Sequence, residues 1–176
     1  KYNGGVKKAD LNTPNVDALK KGIVNLEKHI ENIQKYGLPS VVAINAFPTD
    51  TEAELNLLRE ICEAKGVEVA LSEVWAKGAD GGVELAEKLL NILETKESNY
   101  KPIYELDLPI TEKIKTIARE IYGADDVIFS KKVLTKVDRF TKQGLGNLPI
   151  CIAKTQYSLS DNAKLIGAPT GFTITI

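Results

Sequence analysis

Through Val16, Leu19, Ile23, Leu26, Ile30 and Ile33 the apolar residues recur at spacings of three and four, the period of one face of an α-helix. The pattern predicts a helix over residues 16–36, with Gly37 in the left-handed position past its end and Pro39 barring continuation. Ser40-Val-Val-Ala-Ile-Asn45 is then a short run rich in β-branched residues, which suits a strand covered on both faces, as in a parallel sheet. A second helix opens at Thr49 or Thr51, because Thr49 with Glu52 and Thr51 with Glu54 both fit the Thr-x-x-Glu capping box. Its buried stripe is Leu55, Leu58, Ile61 and Cys62, and Lys65-Gly66 ends it. Val67-Glu-Val-Ala-Leu71 reads as the next strand. The stretch Trp75-Ala-Lys-Gly-Ala-Asp-Gly-Gly82 reads as a loop into a third helix, whose expected apolar face is Val83, Leu85, Ala86, Leu89, Leu90 and Leu93. Alternating helices and strands predict a doubly wound, mostly parallel α/β sheet.

After Glu94-Thr-Lys-Glu-Ser-Asn99 the charge density rises and the pattern changes. This predicts a boundary between an α/β unit, residues 1–98, and a smaller α+β part, residues 99–176. In the latter, Ile114, Ile117, Ala118 and Ile121 define a helix closed by Gly123. Ser130 caps another that runs towards Gln143 and Gly144. Strands are expected within Leu148-Pro-Ile-Cys-Ile-Ala153 and over Phe172-Thr-Ile-Thr-Ile176, and a loop over residues 1–14. A bare apolar terminal strand exposes an unpaired edge, so the chain is expected to be cut from something longer.

Composition removes several function classes. At 176 residues, 43% hydrophobic and 27% charged, the chain has the make-up of a soluble globular protein with one core or one core plus an appendage. No apolar run nears the roughly 18 residues of a membrane span, and 23 basic against 24 acidic residues give no global field to steer it to nucleic acid. Cys62 and Cys151 lack partners at metal-ligand spacing and read as reduced core thiols, which with no signal peptide points to the cytoplasm. His29, the only histidine, lies mid-helix, so no histidine-based metal site can be built and no metal ligands are assigned.

Candidate chemistry is sparse. No Gly-x-x-x-x-Gly-Lys-Ser/Thr phosphate loop occurs. Thr135-Lys-Val-Asp138 matches a guanine-reading tetrapeptide but falls inside an expected helix, which marks it as a chance match. Lys77-Gly-Ala-Asp-Gly-Gly82 is either an anion cradle at a helix start or a plain loop, and Asp80 favours the loop. Lys154-Thr-Gln-Tyr-Ser-Leu-Ser-Asp161 could form a polar wall after a strand. Glu73, Asp50 and Asp161 cannot be paired by spacing as a general acid and base, and no catalytic residue is assigned. Phe47 and Trp75 each follow a strand, where an α/β sheet presents its binding crevice; they are either stacking surfaces for a flat heterocycle or simple core and loop anchors.

Five stretches, in order, resemble formate–tetrahydrofolate ligases, also called formyltetrahydrofolate synthetases: Asn45-Ala-Phe-Pro-Thr-Asp-Thr-Glu-Ala-Glu54, Leu71-Ser-Glu-Val-Trp-Ala-Lys-Gly78, Ala118-Arg-Glu-Ile-Tyr-Gly-Ala-Asp125, Gly146-Asn-Leu-Pro-Ile-Cys-Ile-Ala-Lys-Thr155 and Pro169-Thr-Gly-Phe172. The resemblance implies an internal piece of a much longer, homotetrameric enzyme of one-carbon metabolism. Its sheet would be a P-loop-NTPase-like remnant without its phosphate loop. That enzyme uses ATP with Mg²⁺ to phosphorylate formate and passes the formyl group to tetrahydrofolate. It implies that Phe47 and Trp75 hold the pterin ring with Leu71 beside them, and that Ala168, Thr170 and Gly171 lie at the adenosine end. Phosphate- and formate-binding residues would lie outside these 176, leaving the piece inactive by itself. Two rivals stay open: a non-catalytic α/β binding or assembly module, and the distal half of a GTPase-like protein.

Overall fold

Two short parallel strands, each rich in Val, Ala, Ile or Leu, anchor the first half of the chain. Strand β1, Val41–Asn45, pairs in parallel with β2, Glu68–Ser72, in the register Val41↔Glu68 to Asn45↔Ser72. The computed structural model describes residues 1–153 and 159–176. The chain divides into two units, Lys1–Tyr100 and Lys101–Ile176, and it is a mixed α/β protein; among the described residues each unit holds one two-stranded parallel sheet.

The first unit begins with 3₁₀ turns at Tyr2–Gly4 and Lys8–Asp10, where a loop was expected. The expected long helix is two pieces, α1 (Val16–Gly22) and α2 (Val24–Lys35), joined at Ile23, which keeps right-handed helical dihedrals. The interruption falls where the Tyr2–Gly4 turn lies against the helix: a Cβ on Gly22 would stand 2.5 Å from the Gly4 nitrogen. Gly37 (φ +70°) ends α2 as expected, and its carbonyl accepts the Asn99 N–H at 3.1 Å. Helix α3, Glu52–Ala64, starts at Thr51 rather than Thr49. The Thr51 hydroxyl accepts the Glu54 N–H and the Glu54 carboxylate accepts the Thr51 N–H, a full capping box. Val42, Ile44, Val69 and Leu71 of the strands pack with Leu26 and Ile30 of α2 and with Leu55, Leu58 and Cys62 of α3, so this core lies on one face of β1–β2.

The expected loop at residues 75–82 is a single helical turn, α4 (Val74–Lys77), followed by a 3₁₀ turn, Gly78–Gly82. Helix α5, Val83–Thr95, corrects the expected apolar face: Val83, Leu89, Leu90 and Leu93 are exposed, and Ile92 is the one buried residue of the helix. A different stripe of the helix meets the edge of β2. Glu84 accepts the Leu71 N–H (3.3 Å) and Lys88 donates to the Val69 carbonyl, the two side chains forming an i,i+4 ion pair at 3.0 Å. Residues 84, 88 and 92 share one stripe of the helix, and turning it to the strand edge turns the leucines outward. Edge strands offer unpaired backbone groups, and here two charged side chains occupy them.

In the second unit α6 (Ile110–Ile117) continues through one π-helical turn, Ala118–Tyr122, and stops at Gly123. Strand β3, Asp126–Ile128, which the hydrophobic pattern does not reveal, pairs in parallel with β4, Thr173–Thr175. Ser130 accepts the Val133 N–H and caps α7, Lys131–Lys142. The strand expected at residues 150–153 does not form: the Ile150 N–H donates to the Tyr104 hydroxyl at 2.8 Å instead of a ladder, and Pro149 before it has no N–H to give. Cys151 is therefore exposed rather than in the core, whereas Cys62 is fully buried. Lys113 is also fully buried; its ammonium donates to the Gly146 carbonyl at 2.6 Å and the Leu148 carbonyl at 3.1 Å, tying that segment to α6.

Glu54 gives the first unit a pH dependence. Burial pushes its carboxyl up, but hydrogen bonds from the Asn15 N–H, Lys1 and Thr51 outweigh this and hold it at about 2, against an ordinary 4.5. A depressed carboxyl stabilises the fold fully above its unfolded value, and the contribution drains away as pH falls from about 4.5 towards 2; the shift corresponds to about 3 kcal/mol. Glu54→Gln is expected to lower unfolding free energy by that order at pH 7, with the deficit closing near pH 2. Urea titrations across that range check it, and a deficit independent of pH contradicts it. The two thiols give a second expectation. Burial pushes the Cys62 thiol up, with Glu27 and Glu63 adding to the effect. An aromatic disulfide reagent should therefore titrate one thiol per native chain, a signal lost in Cys151→Ser, and two thiols in denaturant.

Candidate functional site

Parallel strands deliver their following loops to one edge, so the segments after Asn45 and Ser72 are neighbours there. The ladder runs one residue further, the Ala46 N–H donating to the Ser72 carbonyl at 3.0 Å. Phe47 comes next on one side and Trp75, within α4, on the other. Their exposures, 54% and 65%, remove one of the readings the sequence left open: neither ring is a core anchor. Leu71 is half-buried, packed against the cluster that holds Ile44 and Val69.

Each aromatic stands on a loop closed upon itself. Phe47 begins a turn in which the Asp50 N–H donates to the Phe47 carbonyl (2.9 Å) and the Asp50 carboxylate accepts the Phe47 N–H (2.9 Å). Pro48 adds a fixed φ within it. On the other side, the Glu73 carbonyl accepts the Ala76 and Lys77 N–H groups at 3.0 and 2.9 Å, and the Glu73 N–H donates to the Gly81 carbonyl at 2.9 Å. Glu73 also pairs with Lys77 at 2.6 Å. That pairing, with Asp80 in the same turn, leaves the glycine stretch without the uncommitted lysine an anion cradle would use. From sequence Asp50 and Glu73 stood only as carboxylates that spacing could not pair, and Gly81 only as part of the glycine stretch. The turn composition Phe-Pro-Thr-Asp was the available signal for Asp50, whereas nothing local announces the close approach of Gly81.

The second unit holds the remaining candidates. Ala168 is half-buried beside Ile117, Tyr122 and Leu159; Thr170 and Gly171 are exposed in the turn before buried Phe172. A cavity of about 410 Å³ in this unit is lined by Ile114, Ala118, Tyr122, Cys151, Asp161, Ile174 and neighbours, and none of those three candidates is among its described lining. Residues 154–158 of the expected polar wall lie outside the described residues. Of the rest of that wall, the Asp161 carboxylate accepts the Thr175 N–H at 3.0 Å and so serves β4. Thr135 to Asp138 lie inside α7, with Asp138 paired to Lys142 at 2.7 Å on the surface. Among the described residues no group of three or more His, Cys, Asp or Glu side chains is placed to hold a metal ion. None of the helices there is long and apolar enough to cross a membrane.

The chain matches the family model described as formate–tetrahydrofolate ligase over residues 1–176. With a match along its whole length, this chain belongs to the formate–tetrahydrofolate ligase family.

Proposed function

We propose that this chain supplies the tetrahydrofolate side of a ligase that uses ATP to join formate to tetrahydrofolate. In this reading Phe47 and Trp75 stack on the two faces of the pterin ring with Leu71 beside it. Residues 1–98 carry that site. Residues 99–176 lie on the nucleotide side, with Ala168, Thr170 and Gly171 near the adenosine end of ATP, which brings Mg²⁺ with it. The strand pair β1–β2 belongs to a wider doubly wound sheet in the whole enzyme, a cytoplasmic homotetramer.

One observation carries the reading: two large aromatic side chains stand exposed on the loops that leave neighbouring parallel strands at their carboxyl ends. Exposed aromatics are a standing cost in water, and a flat bicyclic ring between them would recover it while adding stacking energy. The residues fit the chemistry of a pterin, which offers two π faces and a polar edge. Phosphoryl transfer needs a phosphate loop, its lysine and Mg²⁺ to stabilise charge, and these 176 residues contain no such loop. By itself the chain therefore binds tetrahydrofolate without turning over ATP and formate.

Trp75 is the only tryptophan, so its fluorescence reports on the proposed site directly. Tetrahydrofolate is expected to quench it saturably, with a calorimetric titration giving the same constant. Phe47→Ala is expected to weaken binding about tenfold, the value of one stacking contact of about 1 kcal/mol plus lost burial. A flat response in the wild-type chain would favour a non-catalytic module, and quenching by a guanine nucleotide alone would favour a GTPase-like protein.

A further inference from the structure

We infer that Asp50 and Gly81 are positioning residues for the ring-binding pair, each locking one aromatic loop in its final shape before any ligand arrives. The inference rests on the reading of Phe47 and Trp75 as the two stacking surfaces and adds how they are held.

On the first side, one residue satisfies both main-chain groups of Phe47: Asp50 gives its N–H to the Phe47 carbonyl and its carboxylate takes the Phe47 N–H, each at 2.9 Å. Asp50 in turn directly precedes Thr51, the helix cap whose reciprocal bonds with Glu54 fix the start of α3. Phe47 is thereby tied to the ladder through Ala46 behind it and to a helix start in front of it. An exposed loop residue with neither tie would sample many backbone states.

On the second side, the 3₁₀ turn lies directly against the chain entering α4. A Cβ on Gly81 would sit 2.5 Å from the carbonyl carbon and oxygen of Glu73 and 2.9 Å from the Val74 nitrogen. These are backbone atoms, so no side-chain movement relieves the clash. Only glycine allows the Glu73 N–H to reach the Gly81 carbonyl at 2.9 Å, and that contact sets the direction in which α4, and with it Trp75, leaves β2. Both surfaces are thus fixed in the free chain. Binding to a fixed slot avoids the ordering cost that a mobile loop would incur on association.

The test is a calorimetric titration of the whole chain with tetrahydrofolate, alongside thermal melts. Asp50→Ala is expected to weaken binding by roughly tenfold, and Gly81→Ala by at least as much. Asp50→Asn, which keeps an oxygen for the Phe47 N–H, is expected to bind like wild type. Should Asp50→Ala fail to fold, Asp50→Glu tests the same point, since it keeps the charge but moves the carboxylate out by one methylene. A double-mutant cycle separates positioning from general destabilisation: in a Phe47→Ala background, Asp50→Ala should cost no further affinity. Wild-type affinity in Asp50→Ala or Asp50→Glu, with Phe47→Ala impaired, would overturn the inference and leave the folate reading standing. A wild-type chain that does not bind tetrahydrofolate would overturn both.

Discussion

The parallel register of Asn45 against Ser72 is the constraint on which the candidate site depends. In an antiparallel pair the two following segments would leave at opposite ends. In this pair they leave together, and residues nearly thirty positions apart in sequence become neighbours. The pairing holds because one face of it is sealed: Val69, Ile44, Leu55, Cys62 and Ile30 are all nearly inaccessible to solvent. A slip of one residue in either strand would expose that face and bury the polar ends. The same network reaches the loop itself, since Glu54 fixes the start of α3 and Asp50, four residues earlier, fixes Phe47. Fold stability and site geometry therefore share a short stretch of chain.

Much of the first unit was legible in sequence because its elements carry strong periodicity and punctuation. Helices α2 and α3, strands β1 and β2 and the end at Gly37 all follow from spacing, glycine and proline, whereas the exposure of Phe47 and Trp75 was not legible there. The choice between Thr49 and Thr51 was not legible, because both fit the same four-residue pattern. Partners distant in sequence decided it: the Asn15 N–H and the Lys1 ammonium both converge on Glu54. The face of α5 was misread for a related reason. Periodicity identifies where apolar residues cluster on a helix, but the open backbone of β2 competed for the helix's attention through Glu84 and Lys88. The stripe that meets the strand edge carries those charged groups, and four leucine and valine side chains lie exposed on the rest of the helix.

The second unit was harder to read because its strands are three residues long and framed by charge. Asp125 and Asp126 hide β3, which only the pairing with β4 defines. Conversely, Ile150 and Ile152 look like strand residues, yet side chains capture the backbone around them, the Tyr104 hydroxyl accepting the Ile150 N–H and the Lys113 ammonium donating to carbonyls just before it. Lys113 did leave a trace: it lies on the same helical face as Ile110, Ile114 and Ile117. A lysine on an apolar face implies an ammonium whose charge is met by oxygen atoms inside the fold. Here those oxygens are two main-chain carbonyls, which tie down a segment that would otherwise have been free to extend.

The two loops that carry Phe47 and Trp75 hold their shape through bonds of their own. Phe and Trp each have about 150–250 Å² to bury, at about 25 cal/mol per Å², and more than half of each side chain remains in water. Burying such rings is favourable, so loops free to move would let them fold back onto apolar surface. Keeping them exposed requires the backbone beneath to resist, and the groups available are those of the turn itself. Asp50 supplies that resistance beside Phe47, and the Glu73–Gly81 contact supplies it beside Trp75. On the proposed reading, the unrealised burial of the rings stays available to a flat ligand, which gains it without first ordering the loops.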